Sequence, residues 1–219
     1  MTSSTSSQLD QAPKADTPKR ARTRERLMDA AVDVFSENGF GGASLELICE
    51  RAGLTRGAFY YNFDSKEQLF LALMERELDS VLGLLASAAE PGVDDIGQVI
   101  ELLSTLYSSR PHGHVTWALL TEEFRLHAMR DADAAAAYTE QFHKIHERLG
   151  SAFGQAAASH GRKMLAAPEM VAAIVIGIYF QAVNDGVLAR LDETEIQRIA
   201  VERVTVALGG LMPAADTQN

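Results

Sequence analysis

Residues 44–62 constrain this chain more than any other stretch, because two short helical periods meet there at Ala52-Gly53-Leu54-Thr55. Leu45, Ile48, Cys49 and Ala52 repeat at helical spacing behind Ser44, an N-cap residue, with Glu46 in the first turn. Thr55 caps a second short helix, predicted over Arg56 to Asn62. Gly53 supplies the positive φ that a helix-turn-helix corner demands, and small Cys49 lets the second helix cross closely over the first. Leu54 and Phe59 anchor both helices on a core made with Leu27, Val34 and Phe35. Thr55 and Arg56 are then free to enter a major groove. Gly57 lets the backbone approach DNA closely, and the polar-tipped rings of Tyr60 and Tyr61 suit phosphate hydrogen bonds.

The rest of the chain is helical in pattern too. Thr17-Pro18 predicts a helix start, and Leu27, Ala30, Ala31, Val34 and Phe35 share one apolar face. Glu25, Asp29, Asp33 and Glu37 line the opposite face as a solvated stripe, and Gly39 is expected to end the helix as a left-handed C-cap. Ser65-Lys66-Glu67-Gln68 fits a capping box that opens a long helix. Beyond a Pro91-Gly92 linker, five more helices are predicted near Ile96–Ser109, His114–Arg130, Asp133–His160, Pro168–Arg190 and Glu193–Leu208. Alternating β-branched runs are nearly absent, so the expected fold class is all-α.

The 219 residues carry 20 basic and 30 acidic side chains, a net charge of −10, which taken whole argues against a nucleic-acid partner. The distribution says otherwise. Residues 1–76 hold ten basic and eleven acidic residues, net −1, whereas residues 77–219 hold ten and nineteen, net −9. Across Arg51–Lys66 three bases face one acid. Lys14, Lys19, Arg20, Arg22 and Arg24 against Asp16 make a basic arm over residues 11–24, which either follows a minor groove or is a solvated tail. The single cysteine, Cys49, rules out an intramolecular disulfide framework and reads as a small buried hydrophobe. The polar N-terminus lacks a secretory core, and the longest apolar run, Met170 to Phe180, falls short of the roughly 20 residues that span a bilayer. A cytoplasmic chain with no membrane partner is expected.

The stretch TRERLMDAAVDVFSENGFGGASLELICERAGLTRGAFYYNFDSKEQLFLALMER resembles the DNA-binding domain of the TetR family of transcriptional regulators. The likeness covers about residues 20–76 and is most specific in TRGAFYYNFDSKEQLF. It looks closest to the branch of AcrR-type multidrug-efflux repressors, whose recognition helix also reads Thr-Arg-Gly-Ala. The resemblance implies an all-helical homodimer, with three N-terminal helices for DNA and a C-terminal ligand domain. It places Thr55, Arg56 and Ala58 on base edges and Gly57 against the backbone. Ser44, Tyr60, Tyr61 and Lys66 fall on phosphates. Asn62 stands where many members carry His or Tyr. The domains expected on this basis are a disordered tail (1–16), a helix-turn-helix domain (17–64), a connecting helix (65–90), a ligand-binding and dimerisation domain (91–212) and a C-terminal tail (213–219).

The family likeness also implies that the last two helices pair two copies, and Val171, Ile174, Val175, Ile178, Val183, Ile196, Ile199, Val204 and Leu208 supply the apolar surface for it. The remaining helices would enclose a cavity for a small hydrophobic or amphipathic effector. Trp117, Phe124, Phe142, Phe153 and Phe180 are the rings available to line it, with Glu123, His127, His146 and Asn184 as polar candidates. His143, His146 and Glu147 do not form a metalloprotease motif, so no metal and no cofactor is expected. The Gly39–Gly42 cluster follows a helix rather than a strand, unlike a phosphate loop, and no nucleophile elbow or paired-carboxylate site appears. A DNA-binding regulator is therefore expected rather than an enzyme, acting as a ligand-released repressor on a near-palindromic double-stranded operator.

Overall fold

The computed structural model describes residues 17–88 and 113–214. Among them are eight helices: α1 Pro18–Gly42, α2 Leu45–Ala52, α3 Arg56–Asn62, α4 Lys66–Ala88, α5 Gly113–Ala128, α6 Ala132–Ser159, α7 Pro168–Leu188 and α8 Glu193–Leu211. The helix expected near Ile96–Ser109, the Pro91-Gly92 linker and the two tails at 1–16 and 215–219 lie outside the described residues.

Short-range hydrogen bonds set the frame of the first four helices. Thr17 Oγ1 accepts from Arg20 N, Ser44 Oγ from Leu47 N and Thr55 Oγ1 from Ala58 N, each satisfying an amide that the first helical turn leaves open. Gly53 sits at φ 61°, ψ 40°, the left-handed geometry that a side chain resists. The capping box differs in one bond. Ser65 Oγ accepts from Gln68 N at 3.2 Å, but the Gln68 amide reaches past Ser65 to Asp64, accepting from Asp64 N at 2.6 Å.

Two corrections concern α1. Gly39 has a positive φ of 69° but a ψ of 168°, so it is a kink and not a left-handed helical cap, and Phe40–Gly42 continue as a short helical tail. The reason lies in α5. Glu123 Oε2 accepts from Phe40 N at 2.6 Å, and a Cβ on Gly39 would stand 2.8 Å from that oxygen. The acidic stripe is exposed but not simply solvated. Arg51 of α2 binds Asp33 and Glu37, and Arg76 of α4 binds Glu25 and Asp29, tying α1 to both neighbours.

One continuous core runs from Leu27, Phe35, Ile48 and Phe59 through Phe40, Phe70 and Phe124 to Leu149, Val171 and Leu208. In the second half, α7 packs against α6 and α8. By length and composition α7 is apolar enough to cross a bilayer, contrary to the expectation from its longest apolar run. In the fold Val171, Ala172, Val175, Ala182 and Val183 are buried, while Asp185 bonds to Gln181 and Arg203. The expected C-terminal tail is fastened where it begins. Lys163 N donates to Pro213 O, and Arg162 bridges to Ala214 and bonds Met212 O.

Candidate nucleic-acid interface and ligand cavity

The α2–α3 corner presents its polar residues to solvent. Arg56, Gly57, Tyr60 and Tyr61 are exposed on α3, Ala58 is half-buried, and Phe59 is fully buried beneath them. Thr55 is exposed, although its oxygen already accepts the α3 cap bond. At Gly57 an added Cβ would meet nothing nearer than Thr55 Oγ1 at 3.7 Å. The chain's own packing thus has no need of glycine there, and the bare backbone faces outward. Arg56 Nη1 lies 2.7 Å from Glu46 Oε1 across the α2–α3 corner. A hydrogen bond with Tyr60, and next the Glu46 carboxylate, raise the pKa of its guanidinium.

Two residues named from the sequence have other surroundings. Lys66 is half-buried, and its Nζ donates to Phe40 O at 2.7 Å and Ala43 O at 2.9 Å while lying over the Phe40 ring. It ties the α1–α2 connection first, with one N–H remaining for a phosphate. Burial pushes its pKa below the ordinary lysine value. Asn62 turns inward and donates to Ala58 O, so it is no surface contact. Cys49 is buried as expected, and burial raises its thiol pKa. The basic arm is in part helical: Arg20 and Arg24 belong to α1, with Arg20 over the Tyr61 ring and Arg24 over the Phe63 ring. Their sequence distance from α3 hid this neighbourhood.

The cavity encloses about 150 Å³ between α4, α5, α6, α7 and α8. Trp117, Phe142, Phe153 and Phe180 come together on its wall with Met74, Leu78, Ile145, Val175 and Val204. Five expected lining residues do not: Phe124, His146 and Asn184, and with them Glu123, which accepts from Phe40 N, and His127, beside Glu67. Phe124 is fully buried in a closed ring stack, 4.7 Å from Phe70 and 4.9 Å from Phe40 between centroids. His146 packs edge-on against Phe142, where burial lowers its pKa below the ordinary imidazole value. Asn184 is half-buried on α7, outside the cavity lining. Glu77, Thr121, Tyr179 and Gln197 supply the polar atoms instead. Thr121 stands at helical spacing from Trp117, a signal present in the sequence, whereas nothing local marked Glu77, Tyr179 or Gln197. His143 pairs with Glu147 on the exposed side of α6, and His127 stands 3.3 Å from Glu67.

Aromatic contacts join the two sites. Trp117, on the cavity wall, stacks with Phe70 at 5.8 Å, and Phe70 meets Phe40 edge-on at 5.4 Å. Phe40 lies in the connection before α2, held by Glu123 on one side and Lys66 on the other.

Residues 27–73 match the family model described as "Bacterial regulatory proteins, tetR family". The chain is 26% identical over 195 residues to the HTH-type transcriptional regulator UidR of Escherichia coli (strain K12), covering 88% of this chain and 94% of that one. It is 38% identical over 78 residues to the HTH-type transcriptional regulator RutR of the same strain, covering 34% of this chain and 37% of RutR. The solved structure of Salmonella enterica GusR superposes with a TM-score of 0.64 at 25% identity, covering 91% of this chain and 98% of GusR. The helical fold, the helix-turn-helix corner and these relatives agree: this is a helix-turn-helix transcriptional regulator whose residues 27–73 form a DNA-binding domain of the TetR family.

Proposed function

We propose that two copies of this chain bind a near-palindromic operator as a cytoplasmic repressor, and that a small apolar or amphipathic effector entering the cavity releases them. The observation that carries this reading is the ring contact from Trp117 through Phe70 to Phe40, which connects the cavity wall to the frame of the recognition helix. In the operator-bound dimer two copies of α3 occupy successive major grooves, about 34–36 Å apart. Arg56 reads a base edge, with Thr55 and Ala58 beside it, while Ser44, Tyr60 and Tyr61 meet phosphates and Lys66 adds its remaining N–H. Of the residues expected to pair two copies, Val171, Val175, Val183, Ile196, Val204 and Leu208 are buried within the single chain, so the exposed Met170, Ile174 and Leu188 of α7 and Val206 of α8 form the surface on which the second copy packs.

An effector that prefers a displaced Trp117 and Phe142 moves α5, and Glu123 carries that displacement to Phe40 and so to α2 and α3. Binding energy that differs between the two spacings lowers operator affinity, by about 1–3 kcal/mol for ordinary couplings. Residues 17–64 serve as the DNA-binding unit, 65–90 as the connecting lever, and 91–212 as the effector and dimer unit.

Trp117 is the only tryptophan, so its fluorescence reports the cavity wall directly. The test has two steps, operator selection from genomic DNA and then a compound screen read by Trp117 emission and operator release together. Compounds that change the emission are expected to release the operator. Emission changes with no release would overturn the coupling, and no sequence-specific selection would overturn the regulator reading.

A further inference from the structure

A carboxylate stands on the surface that would meet a polyanion. Glu46, in the first turn of α2, is 59% exposed, as is Arg56, its ion-pair partner at 2.7 Å on α3. Charge alone makes Glu46 unfavourable beside phosphates. The α2 N-terminus favours an acid in its first turn but does not require that acid to reach the recognition helix.

We propose that Glu46 determines operator specificity by positioning Arg56, an inference that rests on Arg56 being the base-reading residue. An arginine at the start of an exposed helix has many rotamers, only some of which aim two parallel N–H groups at guanine O6 and N7. Glu46 grips Nη1 from α2, across the corner from the helix that carries Arg56. Of the five N–H donors, one to Glu46 leaves four, enough for the two that guanine needs. The carboxylate thus converts a mobile cation, attracted to any phosphate, into an oriented fork. It also lowers the attraction of the surface for DNA without the right base.

The experiment selects operators from a randomised pool with the full-length wild type and the variants Glu46→Ala, Glu46→Gln, Arg56→Ala and the double Glu46→Ala/Arg56→Ala. Wild type is expected to favour guanine at one base step per half-site by about 5- to 150-fold, the range of a bidentate arginine pair. Glu46→Ala flattens that step several-fold, by no more than about the preference that Arg56→Ala removes, and binds random DNA more tightly. Glu46→Gln, which keeps an oxygen acceptor but no charge, flattens it less. The double variant is no flatter there than Arg56→Ala alone. Unchanged base preference in both Glu46 variants, or a further loss in the double variant, overturns the positioning role. Unchanged preference in Arg56→Ala instead overturns the base-reading assignment beneath it, so the two failures are distinct. Both Glu46 variants change an exposed side chain, and equal melting temperatures show that the frame is kept.

Discussion

Between Ser44 and Asn62 the side chains that face outward stand on a frame closed by hydrogen bonds only three residues apart, whereas the cavity gathers its wall from five helices between Met74 and Leu208. The first region separates frame from function. Phe59, Ile48 and Cys49 hold the corner together, and Arg56, Tyr60 and Tyr61 stand exposed above them. The second region has no such separation. Phe153, Leu149 and Val204 are at once core and binding surface, so a substitution that reshapes the cavity also removes packing. Base preference can drift one side chain at a time; effector preference needs compensated changes.

The largest expected effect comes where the regions meet. Phe70 is fully buried between Phe40, Phe124 and Trp117, and Phe70→Ala should lower unfolding free energy by about 3–5 kcal/mol in urea titrations. Because one core runs through both regions, a single transition is expected; two separate transitions would break the comparison into independent bodies. Lys66→Ala should come next, at about 1–3 kcal/mol, since it leaves Phe40 O and Ala43 O without their charged donor. Its operator affinity should fall for all sequences alike, while Arg56→Ala should keep its melting temperature and relax preference at one base. Equal melting for both variants would show that Lys66 belongs with the surface and not the frame.

Gly39→Ala should cost about 1–3 kcal/mol by denaturant titration, because a side chain resists φ 69°, ψ 168° and meets the Glu123 carboxylate. Glu123→Ala removes the clash but not the strain, and it costs the Phe40 N hydrogen bond, so Gly39→Ala should cost less in the Glu123→Ala background than in the wild type. The smallest effect is a pH slope. Burial holds the His146 pKa below 6.5, so below that pH the unfolded chain binds the proton more readily. Stability should therefore fall as pH drops from about 6.5 towards the lowered value and then level off. In His146→Leu this part of the slope should vanish.

What was legible in the sequence follows from the range of the interactions. Ser44, Gly53 and Thr55 act within three residues of themselves, so their roles were readable from residue type and spacing. Trp117, Phe142, Phe153 and Phe180 were legible as large rings on helices, but ring size does not tell a cavity wall from a closed stack, and Phe124 proved to be the latter. α7 is apolar on nearly every side, so its periodicity gave no sign that Tyr179 faces the cavity while Asn184 does not. Lys66 was assigned by position in a motif, yet its carbonyl partners lie 23 and 26 residues earlier in the chain. The kink at Gly39 depends on Glu123, in a helix whose placement no local signal supplies.

The clasped acids of α1 bear on how such a molecule searches a genome. Arg51 looked like part of a basic recognition surface, but it is held by Asp33 and Glu37, and Arg76 is held by Glu25 and Asp29. Four carboxylates share two guanidinium groups, so this flank keeps an acidic excess while Arg20 and Arg24 lie beside α3. The DNA-binding end is therefore a charge dipole, and the field of the duplex turns it as it approaches. Encounters that lead with the acidic flank are expected to be shorter than those that lead with α3. Orientation is partly settled before any base is touched, which shortens the residence on wrong sites and quickens transfer to the next.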